Sequence, residues 1–305
     1  MKVIVFGSNG LVGSSVSRKL SSVKNINLLS ANRKSADLFS LEETKSLIHD
    51  FKPDVIVNAA AKVGGIVANN TNRTEFILEN LKINSNIIES MIGFPDTKLI
   101  NLGSSCIYPL NAVNPIRESS LMTGTLEPTN SPYAMAKLTA IELGDSLSKQ
   151  FGNIVVNLMP TNLYGPNDNF DPLTSHVIPG LMGRIHNAKL EKENEFYVWG
   201  TGTPLREFLY VDDLSSCIEF IIKENIDLQL INAGSGEEVS IKDLVEKISN
   251  IVNFEGDIKF DISKPDGNPR KLLDSSLINN LGWKASTSLE EGLNITYKWF
   301  LNNFI

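Results

Sequence analysis

Tyr133 and Lys137 stand four residues apart in the run Ser131-Pro132-Tyr133-Ala134-Met135-Ala136-Lys137. On a helix that spacing puts both on one face, where the ammonium can lower the phenol's pKa and make it a proton donor or acceptor near neutral pH. This is equipment for reducing a carbonyl. Ser104, in Gly103-Ser104-Ser105-Cys106-Ile107-Tyr108-Pro109, adds a hydroxyl able to hydrogen-bond the carbonyl oxygen. Cys106 follows two residues later at an expected strand end, and a thiol of tunable pKa there can remove a carbon-bound proton beside a ketone. This is equipment for epimerisation. His176, one of 3 histidines, sits in a mostly polar loop, Leu173 to Pro179, that leads into a helix. Each residue also has a plainer reading: a free cysteine is most often a small buried hydrophobe, and a loop histidine is more often solvated. Cys217, inside the apolar run Leu214 to Ile222, is assigned to packing. No cysteine and histidine spacing resembles a zinc site, and the chemistry requires no metal.

A nucleotide site is expected upstream. Gly7-Ser8-Asn9-Gly10-Leu11-Val12-Gly13 follows the first apolar run and opens the first helical pattern. Glycines at this spacing let the backbone turn tightly and approach a pyrophosphate, whose charge then rests on the helix N-terminus. At the end of the second expected strand, an acid would bond a ribose 2'-hydroxyl and repel a 2'-phosphate. The chain has Ser30-Ala31-Asn32-Arg33-Lys34 there instead, and two cations without an acid favour NADP. Asp37, a little further on, is in reach of the adenine amino group.

These groups need a scaffold, and the pattern supplies an α/β one. Strands are expected at Val3 to Phe6, Asn27 to Leu29, Val55 to Asn58, Lys98 to Leu102 and Ile154 to Met159, alternating with helices at Leu11 to Leu20, Leu41 to Asp50, Thr74 to Met91 and Ser131 to Phe151. This is the signature of a Rossmann-type, doubly wound parallel sheet. After Met159 the pattern changes to loops from Pro160 to Gly180 and then to shorter alternations, as a smaller α+β substrate-binding domain would show. We place residues 1–162, with a returning segment at about 207–235, in the NADP-binding domain, and 163–206 with 236–305 in the substrate domain. Two late helices are marked by serine caps, Ser240 to Val252 and Ser288 to Phe300, the second with Glu291 completing a capping box.

Composition limits the partners. The chain has 305 residues, 42% of them hydrophobic, enough for a large core. A net charge of -7 argues against a nucleic-acid partner, so any anionic ligand must meet a local cluster of positive groups. No apolar run reaches membrane-spanning length, and only 2 cysteines are present, which together point to a cytoplasmic protein.

Longer segments carry a resemblance. Ala59-Ala60-Ala61-Lys62-Val63-Gly64-Gly65-Ile66, Gly103 to Pro109, Gly124 to Asn130, Pro160-Thr161-Asn162-Leu163-Tyr164-Gly165-Pro166, Ser175 to Pro179 and Lys264 to Lys271 resemble the GDP-L-fucose synthase family of extended short-chain dehydrogenases/reductases. Other nucleotide-sugar epimerases share the glycine turn and the Tyr and Lys pair, but not the cysteine or the Val-Gly-Gly segment. The resemblance implies an enzyme of two activities on GDP-4-keto-6-deoxy-D-mannose, with Ser104, Tyr133 and Lys137 reducing and Cys106 with His176 epimerising. It implies cofactor contacts from the glycine turn, Arg33, Asp37, Leu38, Ala60, Leu102, Tyr133, Lys137, Pro160, Asn162, Leu163 and His176. It further implies substrate contacts from Ser104, Ser105, Cys106, Asn162, Val177, Arg184, Trp199, Arg206 and Lys271. One departure is visible: bacterial relatives often carry a basic residue in the glycine turn, where this chain has Ser8-Asn9, so Arg33 must carry more of the NADP preference.

The nearest alternatives are a sister GDP-sugar reductase or epimerase, such as a colitose-type enzyme, and a dinucleotide sensor without catalysis. Retention of Cys106, His176, Tyr133 and Lys137 argues against a pure reductase and against a sensor. Assembly is also suggested. The apolar residues of Thr74 to Met91 spread beyond the single stripe that a helix on a sheet needs, and those of the Tyr133 helix do likewise. Pairing these two helices with their copies would give a homodimer through a four-helix bundle, as the resemblance also suggests.

Overall fold

Lys2–Phe6 forms strand β1, with Val3, Ile4, Val5 and Phe6 all buried, because both faces of a parallel strand lie under helices. The structure, a computed structural model, describes residues 1–172, 174–264 and 266–304. Leu173 of the His176 loop and Pro265 of the Lys264 to Lys271 segment lie outside the described residues.

From β1 the chain continues as α1 (Leu11–Ser21), β2 (Asn27–Ala31), α2 (Leu41–Phe51), β3 (Val55–Asn58), α3 (Ile66–Thr71), α4 (Arg73–Ser90), β4 (Lys98–Leu102), α5 (Ser131–Phe151) and β5 (Val155–Pro160). It then forms β6 (Asn162–Tyr164), α6 (Val177–Leu190), β7 (Glu195–Trp199), β8 (Leu205–Tyr210), α7 (Val211–Lys223) and β9 (Leu230–Ala233). The last stretch is β10 (Glu238–Ser240), α8 (Ile241–Val252), β11 (Asp257–Asp261), β12 (Arg270–Lys271), α9 (Ser276–Leu281) and α10 (Leu289–Phe304).

Six strands make one parallel sheet in the order β2-β1-β3-β4-β5-β9. The chain leaves β1 toward β2 and returns past it to β3, so a crevice opens where the two directions part, at the carboxyl ends of β1 and β3. Leaving this sheet, the chain builds a second unit from β10-β8-β12, with β6 paired to β8, and from the pair β11-β7. Its own core packs Phe196, Phe208, Leu244, Ile248 and Phe300 among others. Leu205–Tyr210, most of which falls in the segment expected to return to the large sheet from about residue 207, is a strand whose partners are β6, β10 and β12, and the large sheet is next joined by β9.

Several ends form as the residues dictate. Ser40, Ser240 and Ser288 each accept a hydrogen bond from the amide three residues on, at 3.2, 3.0 and 3.2 Å. Gly152 closes α5 with φ +82, a left-handed conformation that favours glycine. Other elements depart from expectation. A short helix, α3, follows Gly65, and α6 begins at Val177 inside the expected loop, with Pro179 tolerated in its first turn.

The large sheet carries one buried polar feature. Asn58, Asn101 and Asn157 are in register on β3, β4 and β5, and their side chains join as Asn58 Nδ2 to Asn101 Oδ1 at 3.1 Å and Asn101 Nδ2 to Asn157 Oδ1 at 3.2 Å. The chain of amides extends from Asn58 to Asn84 at 3.1 Å and from Asn157 to the carbonyl of Gln229 at 3.1 Å.

Candidate active site

The glycine turn closes against the end of β3. Gly7 has φ +76, and a Cβ there would lie 2.8 Å from the backbone of Ala59 and Ala60, so only glycine fits both the conformation and the space. Gly13 is equally closed off by the carbonyl of Gly7. Gly10 caps α1 without a side-chain hydrogen bond, and the first turn holds no acid, which leaves its amides directed at whatever occupies the crevice. These residues fit a dinucleotide pyrophosphate. Ser8 is buried, with its N–H bonded to Ala31 O at 3.1 Å, while Asn9 is exposed. Beyond β2, Arg33 is exposed and takes part in none of the ion pairs of the described residues. Asp37 is exposed, its Oδ1 accepting from Phe39 N at 3.0 Å, and Leu38 is half-buried beside it.

A cleft of about 300 Å³ runs from this turn across the strand ends. Gly10, Leu11 and Val12 line it on one side and Leu102, Ser104 and Ser105 at the floor. Tyr133 and Lys137 enter from α5, Pro160, Asn162 and Leu163 from β5 and β6, and His176, Val177 and Arg206 from the second unit. A second hollow, of about 310 Å³ between Pro109 and Thr125, is lined by no titratable side chain. The cleft is the place where chemistry is possible.

Within it, Lys137 is 2% exposed, and its Nζ donates to Leu102 O at 2.7 Å and sits 5.8 Å from the centre of the Tyr133 ring. Burial lowers its pKa to about 8, opposed by Cys106. Tyr133 differs from expectation: desolvation pushes its phenol up, with Cys106 adding in the same direction, so without ligands the phenol stays firmly protonated. It is a proton donor in this state. Phe76 of α4 meets its ring edge-on at 6.2 Å, and Arg73 bonds Pro128 O at 2.9 Å and Ser131 Oγ at 3.1 Å, which braces the start of α5.

Cys106 stands in the short turn Ser105–Ile107 behind the cleft wall, 6% exposed, its N–H bonded to Ser104 Oγ at 3.3 Å. Burial raises its pKa, while Lys271, the Ser104 hydroxyl and Lys137 pull it back down. His176 is the first residue before α6 and makes no capping bond with its ring. The imidazole opens on the cleft, yet protein surrounds it widely enough that desolvation lowers its pKa.

The remaining expected contacts divide. Arg206 and Lys271 are cross-strand neighbours on β8 and β12. Fully buried Glu207 ties that pair to the rest by accepting from Gly236 N at 2.8 Å and Leu273 N at 3.1 Å, and its carbonyl accepts from Asn162 Nδ2 at 2.9 Å. Ala60 lies under the glycine turn, its N–H bonded to Asn58 Oδ1 at 3.2 Å. Of Arg206, Lys271, Arg184 and Trp199, only Arg206 lines the cleft; Lys271 lies beside it, Arg184 stacks on Phe196 at 5.3 Å, and Trp199 is 62% exposed with Lys264 at 5.9 Å. Cys217 is fully buried in the core.

One wall residue went unnoticed in the sequence. Asp168 lines the cleft at 7% exposure; its Oδ1 accepts from Asn169 N at 2.8 Å, and its Oδ2 has no partner among the described residues. Desolvation raises its pKa to about 7. Its run, Asn167-Asp168-Asn169, reads as an ordinary polar loop, and only the fold buries it.

The chain matches the family model described as NAD dependent epimerase/dehydratase family over residues 3–234. It is 48% identical to GDP-L-fucose synthase 1 of Arabidopsis thaliana over 302 residues, 99% of this chain and 94% of that one. It is 45% identical to the GDP-L-fucose synthase of Escherichia coli (strain K12) over 315 aligned residues, 99% of this chain and 97% of that one. The crystal structure of a GDP-L-fucose synthetase from Naegleria fowleri bound to NADP superposes with a TM-score of 0.89 at 28% identity, covering 99% of this chain and 94% of that one.

Asp168 generates a pH prediction. Its folded pKa of about 7 lies above the ordinary 3.8, so the folded state holds the proton more tightly. Its contribution to stability is therefore present below the ordinary value and is lost as pH rises through the folded one. Asp168→Asn, neutral at every pH, should gain stability relative to the parent at pH 8 compared with pH 4.5, by several degrees in Tm. A difference in Tm that does not change with pH would mean that Asp168 does not hold its proton as described.

Proposed function

The chain belongs to the NAD dependent epimerase/dehydratase family and, within it, to the GDP-L-fucose synthases, and from that membership and the cleft we propose how it works. It converts GDP-4-keto-6-deoxy-D-mannose to GDP-L-fucose with NADPH, inverting C3 and C5 and then reducing C4. The observation that carries this reading is the meeting of Ser104, Tyr133, Lys137 and His176 on one cleft, with Cys106 directly behind Ser104 and Ser105.

The C4 ketone acidifies the hydrogens on C3 and C5. Cys106, as thiolate, removes one such proton, and the electron pair is delocalised into an enolate whose oxygen accepts from the hydroxyls of Ser104 and Tyr133. Lys271 and Lys137 offset the cost of a buried thiolate. His176, protonated, returns a proton to the opposite face of the carbon. When bound, NADPH supplies hydride to C4. Tyr133 gives its proton to the developing C4 oxygen, and Lys137 stabilises the phenolate left behind. Arg206 and Lys271 meet the diphosphate, an arrangement that an acidic protein needs locally.

The large-sheet unit holds the cofactor, and the second unit holds the GDP-sugar. The reading extends to a cytoplasmic homodimer, in which thiols stay reduced and α4 and α5 pair with their copies. Leu78 at 49% and Met135 at 46% exposure are the exposed large apolar residues of these two helices, and Ile77, Leu81 and Leu143 are half-buried. Light scattering at low micromolar concentration that found a fully active monomer would remove the dimer.

Two substitutions test the roles. Cys106→Ser should lower solvent deuterium exchange at C3 and C5 by about a hundredfold or more, since a hydroxyl is too weak a base, while ketone reduction partly survives. Exchange at the parent rate would show that Cys106 is not the base. Arg33→Ala should weaken NADPH binding by roughly tenfold to a hundredfold, the scale of a charge-assisted contact to phosphate, and leave NADH nearly unchanged. An unaltered ratio of the two KM values would take the 2'-phosphate away from Arg33.

A further inference from the structure

Val63-Gly64-Gly65, which the sequence sets apart, has no part in the chemistry above. The structure lays it against the loop that carries His176. Gly65 N–H donates to Thr174 O at 3.0 Å, and a Cβ on Gly65 would stand 2.5 Å from Ser175 O, the carbonyl directly before His176. No side chain fits such a gap. The backbone of Gly65, at φ -64 and ψ 178, is one that any residue adopts, so its neighbour, not its conformation, demands glycine.

The contact is fixed from several sides. Asn69, 7% exposed, donates from Nδ2 to Gly64 O at 2.6 Å and to Gly65 O at 3.1 Å, holding both carbonyls in place. A Cβ on Gly64 would lie 3.3 Å from Phe76, whose ring in turn meets that of Tyr133. Across the loop, a Cβ on Gly180 of α6 would come within 2.6 Å of Ser175 Oγ. Ser175 therefore lies between two glycines from different elements. The His176 ring makes no capping bond, and its backbone follows directly on Ser175, so a shift at Ser175 carries the imidazole with it.

We propose that Val63–Gly65 is a positioning element for His176, setting from the cofactor-binding unit the place of the acid-base histidine relative to the sugar carbon. Through Phe76 the same segment also touches the tyrosine that protonates the neighbouring oxygen. The inference rests on His176 acting as the proton donor in epimerisation. Val63 and Gly64 line the cleft, but Gly65 does not, and the atoms that a Cβ on it would press are those of Thr174 and Ser175, so Gly65 is well suited to test it.

The experiment compares Gly65→Ala, Asn69→Ala and His176→Gln in the full chain. Three quantities are read: deuterium exchange at C3 and C5 of GDP-4-keto-6-deoxy-D-mannose with NADP+ present, NADPH oxidation with the stereochemistry of its product, and Tm. Gly65→Ala should lower exchange by about tenfold to a hundredfold, the scale set by a misplacement near 1 Å. Ketone reduction and NADPH affinity should fall far less, and part of the product should be reduced without inversion. Asn69→Ala, whose side chain also lines the cleft, should shift the ratio of exchange to reduction in the same direction by a smaller factor with the KM for the sugar unchanged, and it decides the matter if Gly65→Ala does not fold: a raised KM with an unchanged ratio overturns the inference. Exchange at the parent rate in Gly65→Ala, or an equal fall in exchange and reduction, overturns the inference while His176→Gln shows its own loss. Normal exchange in His176→Gln overturns the histidine reading and this inference with it.

Discussion

The in-register asparagines of β3, β4 and β5 are the constraint on which the rest of the molecule depends. Asn58, Asn101 and Asn157 are at most 2% exposed, and amides placed there without partners would cost more than the apolar residues they replace. Paired side chain to side chain, they instead lock the stagger of three neighbouring strands at their carboxyl ends. A slip of one residue would break every rung. The cleft residues leave from just beyond these rungs: Ala60 N–H donates to Asn58 Oδ1, and Ser104 follows Asn101 by three positions. Lys62, whose N–H and carbonyl both bond Asn80, is held through the same series by way of Asn84. The ladder thus fixes the floor of the cleft and the start of the Val63–Gly65 segment.

On that floor, burial and charge act against each other. Desolvation raises the thiol of Cys106 and the phenol of Tyr133 and lowers the ammonium of Lys137 and the imidazole of His176. Burial favours the neutral form of each, although Lys137, at about 8, still carries its charge at neutral pH. Lys271 and Lys137 pull the thiol of Cys106 back down, and they come from separate parts of the chain. A protein of net charge -7 thus sets three cations, Lys137, Lys271 and Arg206, around one buried thiol.

Much of this was legible in the sequence. The glycine turn, the apolar strand runs and the Tyr133 and Lys137 spacing are local patterns, and each determines its own geometry. What escaped is what only register and long-range contact create. Asn58, Asn101 and Asn157 each look like an unremarked residue near the end of an apolar run, and nothing local shows that they share a rung. Asp168 reads as part of a solvated loop until the second unit buries it. Glu207 to Tyr210 reads with the segment returning to the large sheet, whereas the strand it belongs to, Leu205–Tyr210, has partners β6, β10 and β12 on both sides of it in sequence. Gly64 and Gly65 look like flexible loop residues, although their role comes from the Thr174 and Ser175 carbonyls far along the chain.

One cleft that performs both proton exchange and hydride transfer on the same sugar leaves a distinct isotopic signature. Isotopes separate the two directly. The pure protein is given GDP-4-keto-6-deoxy-D-mannose, once with ordinary NADPH in deuterated water and once with NADPH deuterated at the transferred position in ordinary water, and the product is read by NMR. The expected product is GDP-L-fucose with solvent deuterium at C3 and C5 in the first case and cofactor deuterium at C4 alone in the second. A reduced product without solvent label at C3 and C5 would contradict it.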